Sequence, residues 1–472
     1  MPTAVDVSPE AAPAAPTLVR RLGPIDAAAI VVSNVIGGGI FFVPIQVAQM
    51  VPDPAAMLAV WALGGALALA GAMSYAELAA LRPRAGGEYV YLREAFGAPA
   101  AFLTGWTSFV AGFSGAIAAS AVGLADYIGR FLPAAADRSP LLSVPVPFAP
   151  LVVSRQSLVA LTAIAALSFI HVRGLGPGRL VQNTLAVLKT TGLVLLVALG
   201  LTLGHGSLSH FAAPGPVPVS SWVLALVPIM FSYSGWNAAA YVAEEIASPG
   251  RNVPLALGIG TVTVVAIYLA LNTLYLYAMP LADLASLKRG IVDETADRLF
   301  GFAIGNLLSV FTIVSIAASI SAMIFAGPRV YYAMARDGLF FPRAATVHPT
   351  FRTPHVAIVA QSVWSGVLVL SGSLAELVGY TGFAVVLFSG IAVLGLVVLR
   401  RRHPDEPRPF RAWGYPLSPA VFVGAAAVML GNQLWRDPVT VAKGLVVIGA
   451  GVPLYVWWSA QLRGATATGA PR

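Results

Sequence analysis

The chain of 472 residues contains no cysteine. Disulfides, thiolate metal sites and cysteine nucleophiles are therefore excluded, and nothing about redox compartment follows. Charge is nearly as scarce. Asp, Glu, Lys and Arg make up 10% of the residues, against roughly 25% in ordinary soluble domains. With 58% hydrophobic residues and a mean hydropathy of +0.81, this is not a soluble globule. The six histidines all fall in or near expected loops, which argues against a histidine relay at depth. No spacing supports a metal-ligand set, a resident cofactor or a catalytic triad, so an enzyme is not expected. No strand-like alternation competes with the long apolar segments.

Those segments number twelve, roughly 25–50, 55–81, 97–131, 157–173, 180–203, 220–246, 253–279, 302–333, 355–372, 375–400, 416–435 and 438–461. A membrane helix needs about 20 mostly apolar residues, so the expected fold is an all-α integral membrane protein of twelve spans. The loops near 132–155 and 281–300 are the long ones, and neither can hold another domain. Residues 1–20 read as a flexible Pro/Ala-rich tail without the order of a cleaved signal peptide. Residues 21–462 form the membrane domain and 463–472 a second tail. The net charge of +8 has a topological explanation rather than nucleic acid as partner. With the N-terminus inside, 19 of the 28 Lys and Arg fall in inner loops or tails and 8 in outer ones. The expectation is a cell-membrane protein with both termini cytoplasmic.

The first span is a poor helix. Gly37-Gly38-Gly39 cost about 1 kcal/mol each relative to alanine, and Pro44 removes a backbone donor further on. Loose backbone at membrane depth is tolerated where it is buried in protein or lines a cavity. Five spans later Phe231-Ser232-Tyr233-Ser234-Gly235-Trp236-Asn237 interrupts the sixth span, with Pro228 before it. Two interrupted helices at matching places in two five-helix halves point to a transporter site built from inverted repeats.

Several stretches resemble the amino acid–polyamine–organocation superfamily, most closely its L-type amino acid transporter branch. They are Val35-Ile36-Gly37-Gly38-Gly39-Ile40-Phe41, then Tyr75-Ala76-Glu77-Leu78 and Pro83-Arg84-Ala85-Gly86-Gly87-Glu88-Tyr89-Val90-Tyr91 with Ala95-Phe96-Gly97. Later come Gly235-Trp236-Asn237, Glu244-Glu245-Ile246-Ala247-Ser248-Pro249-Gly250-Arg251-Asn252-Val253-Pro254, Pro328-Arg329, and Met334-Ala335-Arg336-Asp337-Gly338. The resemblance implies a LeuT-type fold, with repeats over about 25–203 and 220–400 and two appended helices over about 416–461. It implies a substrate carboxylate held by N–H groups around Gly37, Gly38 and Gly39. The amino group would meet carbonyls near Ser33, Ile36, Phe231, Ser232 and Ser234, and Phe231 would close over the substrate. Gly38 departs from the serine common in relatives. The side-chain pocket is expected near Ile40, Ser114, Gly235, Trp236 and Asn237.

Lys189 lies about ten residues beyond Arg179, hence roughly 15 Å deep at 1.5 Å per residue. An intramembrane lysine is costly and usually functional. The resemblance places it where sodium-coupled relatives hold sodium, bridging helix 1 near Ser33 or Asn34 to a hydroxyl of helix 8, Ser315 or Ser319. It stands either as a fixed strut or as a proton-coupling group. Both readings predict sodium-independent transport. Asp26 is expected to cap helix 1, Glu77 to pair with a loop arginine, and Glu244 and Glu245 to pair with Arg329, Arg336 or other inner arginines as a gate. The leading function is secondary transport of amino acids, neutral ones first, by alternating access. A cationic amino acid or polyamine carrier is the alternative. A channel or sensor lacks an evident polar pore lining. Without cysteine, no disulfide-linked heavy chain can join this protein.

Overall fold

A computed structural model describes residues 17–146, 150–212, 215–287, 290–371 and 374–467, with backbone alone over 302–305, 307, 374–381 and 462–467. Two of the eight outer basic residues, Lys288 and Arg289, and the chain ends 1–16 and 468–472 lie outside the described residues.

The first apolar segment is split into α1 (Pro24–Val35) and α2 (Gly39–Met50), bent by 49°. Asp53 accepts from the Ala56 N–H at 2.6 Å and Pro54 sits at the first helical position, so α3 (Pro54–Leu81) starts sharply. A glycine turn leads to α4 (Glu88–Phe96), too short and too charged to cross a bilayer. Next, α5 (Ala98–Thr107) and α6 (Phe113–Ile128) run on through a π turn, Ser108–Gly112. The 132–155 loop carries a short antiparallel hairpin, β1 (Leu142–Val144) against β2 (Leu151–Val153), which the absence of an alternating pattern did not lead us to expect. Then follow α7 (Arg155–Val172), α8 (Leu175–Leu203) and α9 (Val219–Ser232), which gives way to the one-turn α10 (Ala238–Tyr241). The chain continues with α11 (Pro249–Ala278), the short α12 (Leu281–Ser286) and α13 (Ile291–Phe300), α14 (Phe302–Ala326) and α15 (Pro328–Arg336). It ends with α16 (His355–Ser371), α17 (Leu374–Arg402), α18 (Leu417–Arg436), α19 (Pro438–Gly449) and α20 (Gly451–Ala467).

Among the described residues nine helices or helix runs are long and apolar enough to span a membrane, ten with the bent pair α1/α2. The apolar α9 and α16 are shorter, at 14 and 17 residues. Polarity is arranged for lipid outside. On α8 the buried face holds Gln182, Ala186, Lys189, Leu193 and Leu196, while Leu180, Val187, Leu188, Val194 and Leu195 are exposed. A soluble helix would reverse that order. α11 packs along α3 and α1, and α14 along α6 and α8.

At one end of the bundle the arginines are locked to acids. Glu77, fully buried, holds Arg400 at 2.6 Å and the loop arginine Arg408 at 3.3 Å. Arg82 pairs with Glu94 and Glu406. Asp26 does not cap α1 from the cap position. Gly23 is the N-cap, and its N–H donates to Asp26 Oδ2 from three residues away at 2.8 Å. Pro24 at the first helical position sets that register.

Candidate functional site: two interrupted helices and a buried lysine

α1 ends at Val35 because the next four residues include three glycines, the weakest helix formers short of proline. Ile36 leaves helical geometry with ψ 82°, and Gly37 folds its N–H back on the Val35 carbonyl at 2.8 Å. α2 then starts at Gly39 with no side chain capping its first turn. Its leading N–H groups are orphan donors at the positive end of a helix dipole. α9 stops at Ser232. Ser234 N–H turns to Phe231 O at 3.0 Å, and Gly235 takes φ +99°, a conformation that favours glycine.

The two breaks touch. A Cβ on Gly235 would lie 3.1–3.2 Å from the Asn34 backbone and side chain, and one on Gly39 would lie 2.8 Å from Ser232 Cα. A Cβ on Gly38 would meet Phe42 ring carbons at no less than 3.8 Å, an ordinary contact. Gly39→Ala is therefore expected to force the breaks apart and cost about 1–3 kcal/mol of overpacking strain, with transport lowered at least about tenfold. Gly38→Ser should stay close to wild type. Uptake into proteoliposomes by the two variants, normalised to folded protein, checks the pair.

Freed carbonyls at the end of α1 are satisfied by side chains from two other helices. Lys189, 0% exposed, donates to Ser33 O at 3.2 Å and to Ile36 O. Tyr268 of α11 places its hydroxyl 3.0 Å from both Val35 O and Ser232 O, so one phenol spans the two interrupted helices. Among the described residues no carboxylate pairs with Lys189. Its charge faces carbonyl oxygens at the negative end of the α1 dipole. The expected partners on the eighth span, which is α14, are not engaged by Lys189. Ser315 Oγ is buried without a partner, and Ser319 Oγ packs on Gly37, 2.9 Å from where a Cβ would stand. Asn34 does not take Lys189 either, because the turn at Ile36 brings that residue's carbonyl round to the ammonium instead.

Ser33 Oγ and Ser232 Oγ, one in each interrupted helix, are buried without hydrogen-bond partners among the described residues. Buried polar atoms are normally satisfied, so these two hydroxyls beside the breaks keep unused hydrogen-bonding capacity. Ile40 is fully buried and Phe231 half-buried. Trp236 turns away from α1 and packs edge-on against Tyr75 and Phe422, at centroid distances of 4.8 and 5.7 Å. The cavity at this level lies behind the second break. Met230, Ser234, Gly235, Trp236 and Asn237 line it on one side, and Val385, Val386, Ser389, Phe422, Ala426 and Met429 of α17 and α18 on the other. Ser114 is buried in α6 and is not among its lining residues.

Glu244 and Glu245 stand where the interrupted sixth helix ends, in a 3-10 turn. Glu245 takes Arg329 at 2.7 and 3.0 Å, with both side chains 1% exposed. Glu244 takes Arg336 at 3.0 Å and the Ala85 N–H at 3.0 Å. A β-bridge joins Leu22, just before α1, to Ile246. These contacts tie the segment before α1, the end of the sixth helix and α15 together at this end of the bundle. Sequence reasoning missed Tyr268, because a tyrosine in a long apolar helix carries no local sign of what its hydroxyl reaches. It also missed the α17 and α18 lining.

Two interrupted helices in contact, with a buried lysine donating to the backbone at the first break, on a mostly helical scaffold of apolar spans, are the features of a membrane transporter. Comparison with known proteins agrees. The sequence profile of the amino acid permease family matches residues 22–450, and the chain belongs to that family. It is 28% identical over 468 residues to human (Homo sapiens) "Large neutral amino acids transporter small subunit 2", covering 96% of this chain and 84% of that protein. It is 28% identical over 440 residues to the "Serine/threonine exchanger SteT" of Bacillus subtilis (strain 168), covering 93% and 96%. It is also 28% identical over 444 residues to the human "Cystine/glutamate transporter", covering 93% and 85%.

Proposed function

We propose that this protein is a sodium-independent secondary transporter of neutral L-amino acids, working by alternating access as an exchanger or a proton-coupled symporter. The observation that carries the reading is the contact of two interrupted helices, with one phenol reaching a carbonyl of each and an ammonium donating to two carbonyls of the first. The proposed frame is LeuT-type. It has twelve spans when α9/α10 and α16 are counted, inverted repeats over about 25–203 and 220–400, and α18 to α20 appended. The arginine-rich end is assigned to the cytoplasm by the excess of Lys and Arg there, with both termini on that side.

In this reading the substrate carboxylate binds the uncapped N–H groups of Gly38 and Gly39, and Gly37 is reassigned from that role because its N–H already reaches Val35 O at 2.8 Å. The amino group is assigned to carbonyls of Phe231, Ser232 and Ser234. Ser33 and Ile36 are reassigned from that role, since their carbonyls hold the Lys189 ammonium, which repels a second one, whereas Phe231 O and Ser232 O hold only neutral donors. The orphan hydroxyls of Ser33 and Ser232 supply further contacts, and Phe231 closes the site. The relatives' names span neutral and acidic substrates, so the class is argued from the cavity. This cavity, about 20 Å³, is smaller than a substrate side chain, and the lack of a charged residue on its wall favours a neutral side chain over the cationic or polyamine alternative. Lys189 stands against sodium because a fixed ammonium disfavours a second cation nearby.

Counterflow of labelled amino acids in proteoliposomes tests this, run with and without sodium and with an imposed pH gradient. Neutral amino acids should compete best, and sodium should have no effect. Sodium-dependent uptake, or competition by cationic amino acids alone, would overturn the reading. Tyr268→Phe removes the hydroxyl alone; Val35 O keeps the Gly37 N–H, so Ser232 O is the carbonyl left short of this donor, about 1–3 kcal/mol. Exchange should fall about 5- to 100-fold with little change in thermal stability.

A further inference from the structure

The turn before α4 puts a carboxyl against the second half of the interrupted sixth helix. Gly87 there has φ +51°, and a Cβ on it would strike the Tyr241 ring at 2.5 Å, so only glycine lets the chain pass this close. Glu88 follows. Its Oε1 accepts from Tyr75 Oη at 2.6 Å, from Asn237 Nδ2 at 2.7 Å and from Ser389 Oγ at 3.4 Å. These donors come from α3, from the sixth-helix break and from α17, and all are neutral. The contrast with the neighbouring acids decides its meaning. Glu77, Glu244 and Glu245 each hold an arginine. Among the described residues no arginine, lysine or histidine pairs with Glu88. The titratable groups facing it are phenols: Tyr75 of α3, Tyr241 of α10 and Tyr91 of α4 itself.

Tyr75, Asn237, Tyr241 and Ser389 are all buried, yet Glu88 keeps some accessible surface. Two of its partners, Asn237 and Ser389, are on the cavity wall. An ionised carboxylate enclosed without a cation is expensive, whereas a protonated one still accepts these hydrogen bonds.

We propose that Glu88 is a proton-binding site, loaded from solvent when the arginine-rich end closes and emptied back to solvent when the sixth helix draws Asn237 and Tyr241 away. The release step rests on the alternating-access reading; the protonated state of the closed form does not. Burial pushes the Glu88 carboxyl above its ordinary range. Since it is raised in the closed form, closure takes up a proton. The closed form is then favoured at low pH, and the advantage is lost as pH rises through the raised pKa.

Infrared difference spectra of the full-length protein, wild type against Glu88→Gln, test the site directly. A protonated-carboxyl C=O stretch near neutral pH in wild type and missing from the variant is expected. In proteoliposomes with pH varied on each side in turn, wild-type exchange should change by up to about tenfold per pH unit where Glu88 titrates, and the variant's should be flat. Identical spectra, or a carboxyl that titrates in the ordinary range, would overturn the proposal whatever the protein carries. A spectrum with the band but no amino acid transport by wild type would instead overturn the transport reading and leave the proton site standing.

Discussion

Lys189→Met should fold and fail to transport. The substitution removes an ammonium that is wholly buried and bonded to Ser33 O and Ile36 O. Two carbonyls then lose their donor, at about 1–3 kcal/mol each. Against this, the variant no longer carries a charge at depth, a relief of about 2.5–3.5 kcal/mol on insertion scales. The two terms nearly cancel, so thermal unfolding in detergent should move little. Transport has no such compensation. With nothing holding the end of α1, the bend between α1 and α2 loses its fixed angle, and a bias of about 2 kcal/mol against the binding geometry already costs about thirtyfold. Exchange should fall by at least that factor. Lys189→Arg should not rescue it, because a rigid guanidinium fork cannot occupy the pocket of a single rotating ammonium. Exchange within about threefold of wild type in Lys189→Met would remove the lysine from the mechanism.

How far this site could be read in advance follows from helical phase. Counting 1.5 Å per residue along unbroken helices puts Lys189 at depth, and a glycine run in the first span and a Ser/Gly stretch after Pro228 in the sixth locate the two breaks, because these signals are local. What crosses a break is not local. At Ile36 the backbone leaves the helical region, with ψ 82°. The 100° step that would forecast which carbonyl faces which helix is lost there. Hence Lys189 meets Ile36 O instead of Asn34, and Trp236 turns toward α3 and α18. Tyr268 and Glu88 were opaque for a related reason. One sits in a regular helix and the other after a glycine turn, and each acquires its role from a neighbour far along the chain. Glu77 was easier, since a buried acid near an arginine-rich end has few alternatives to pairing.

The Arg329–Glu245 pair should show the largest effect on stability. Nε and Nη2 of Arg329 reach the two carboxylate oxygens at 2.7 and 3.0 Å, Nη1 donates to Phe325 O, and the guanidinium lies 4.1 Å over the Phe325 ring. Glu245 is tied at its backbone as well, its carbonyl accepting from Arg21 and Leu22 N–H at 2.9 and 3.0 Å. One residue thus joins the strand entering α1, the end of the sixth helix and α15. Arg329→Ala leaves a carboxylate buried and unpaired, which costs about 3–5 kcal/mol, and little folded protein should survive detergent extraction. The double variant Glu245→Leu/Arg329→Met exchanges the pair for apolar volume, a change that is often neutral or stabilising, and should recover most of the lost stability. Its transport should not recover. Ions regain hydration when a gate opens, whereas the apolar pair would expose hydrocarbon at about 25 cal/mol per Å², so the closed form is favoured and exchange slows. Fluorescence-monitored thermal unfolding and counterflow on the same preparations separate the two effects. A double variant as unstable as the single one, or one exchanging at the wild-type rate, would mean that this pair does not act as a gate.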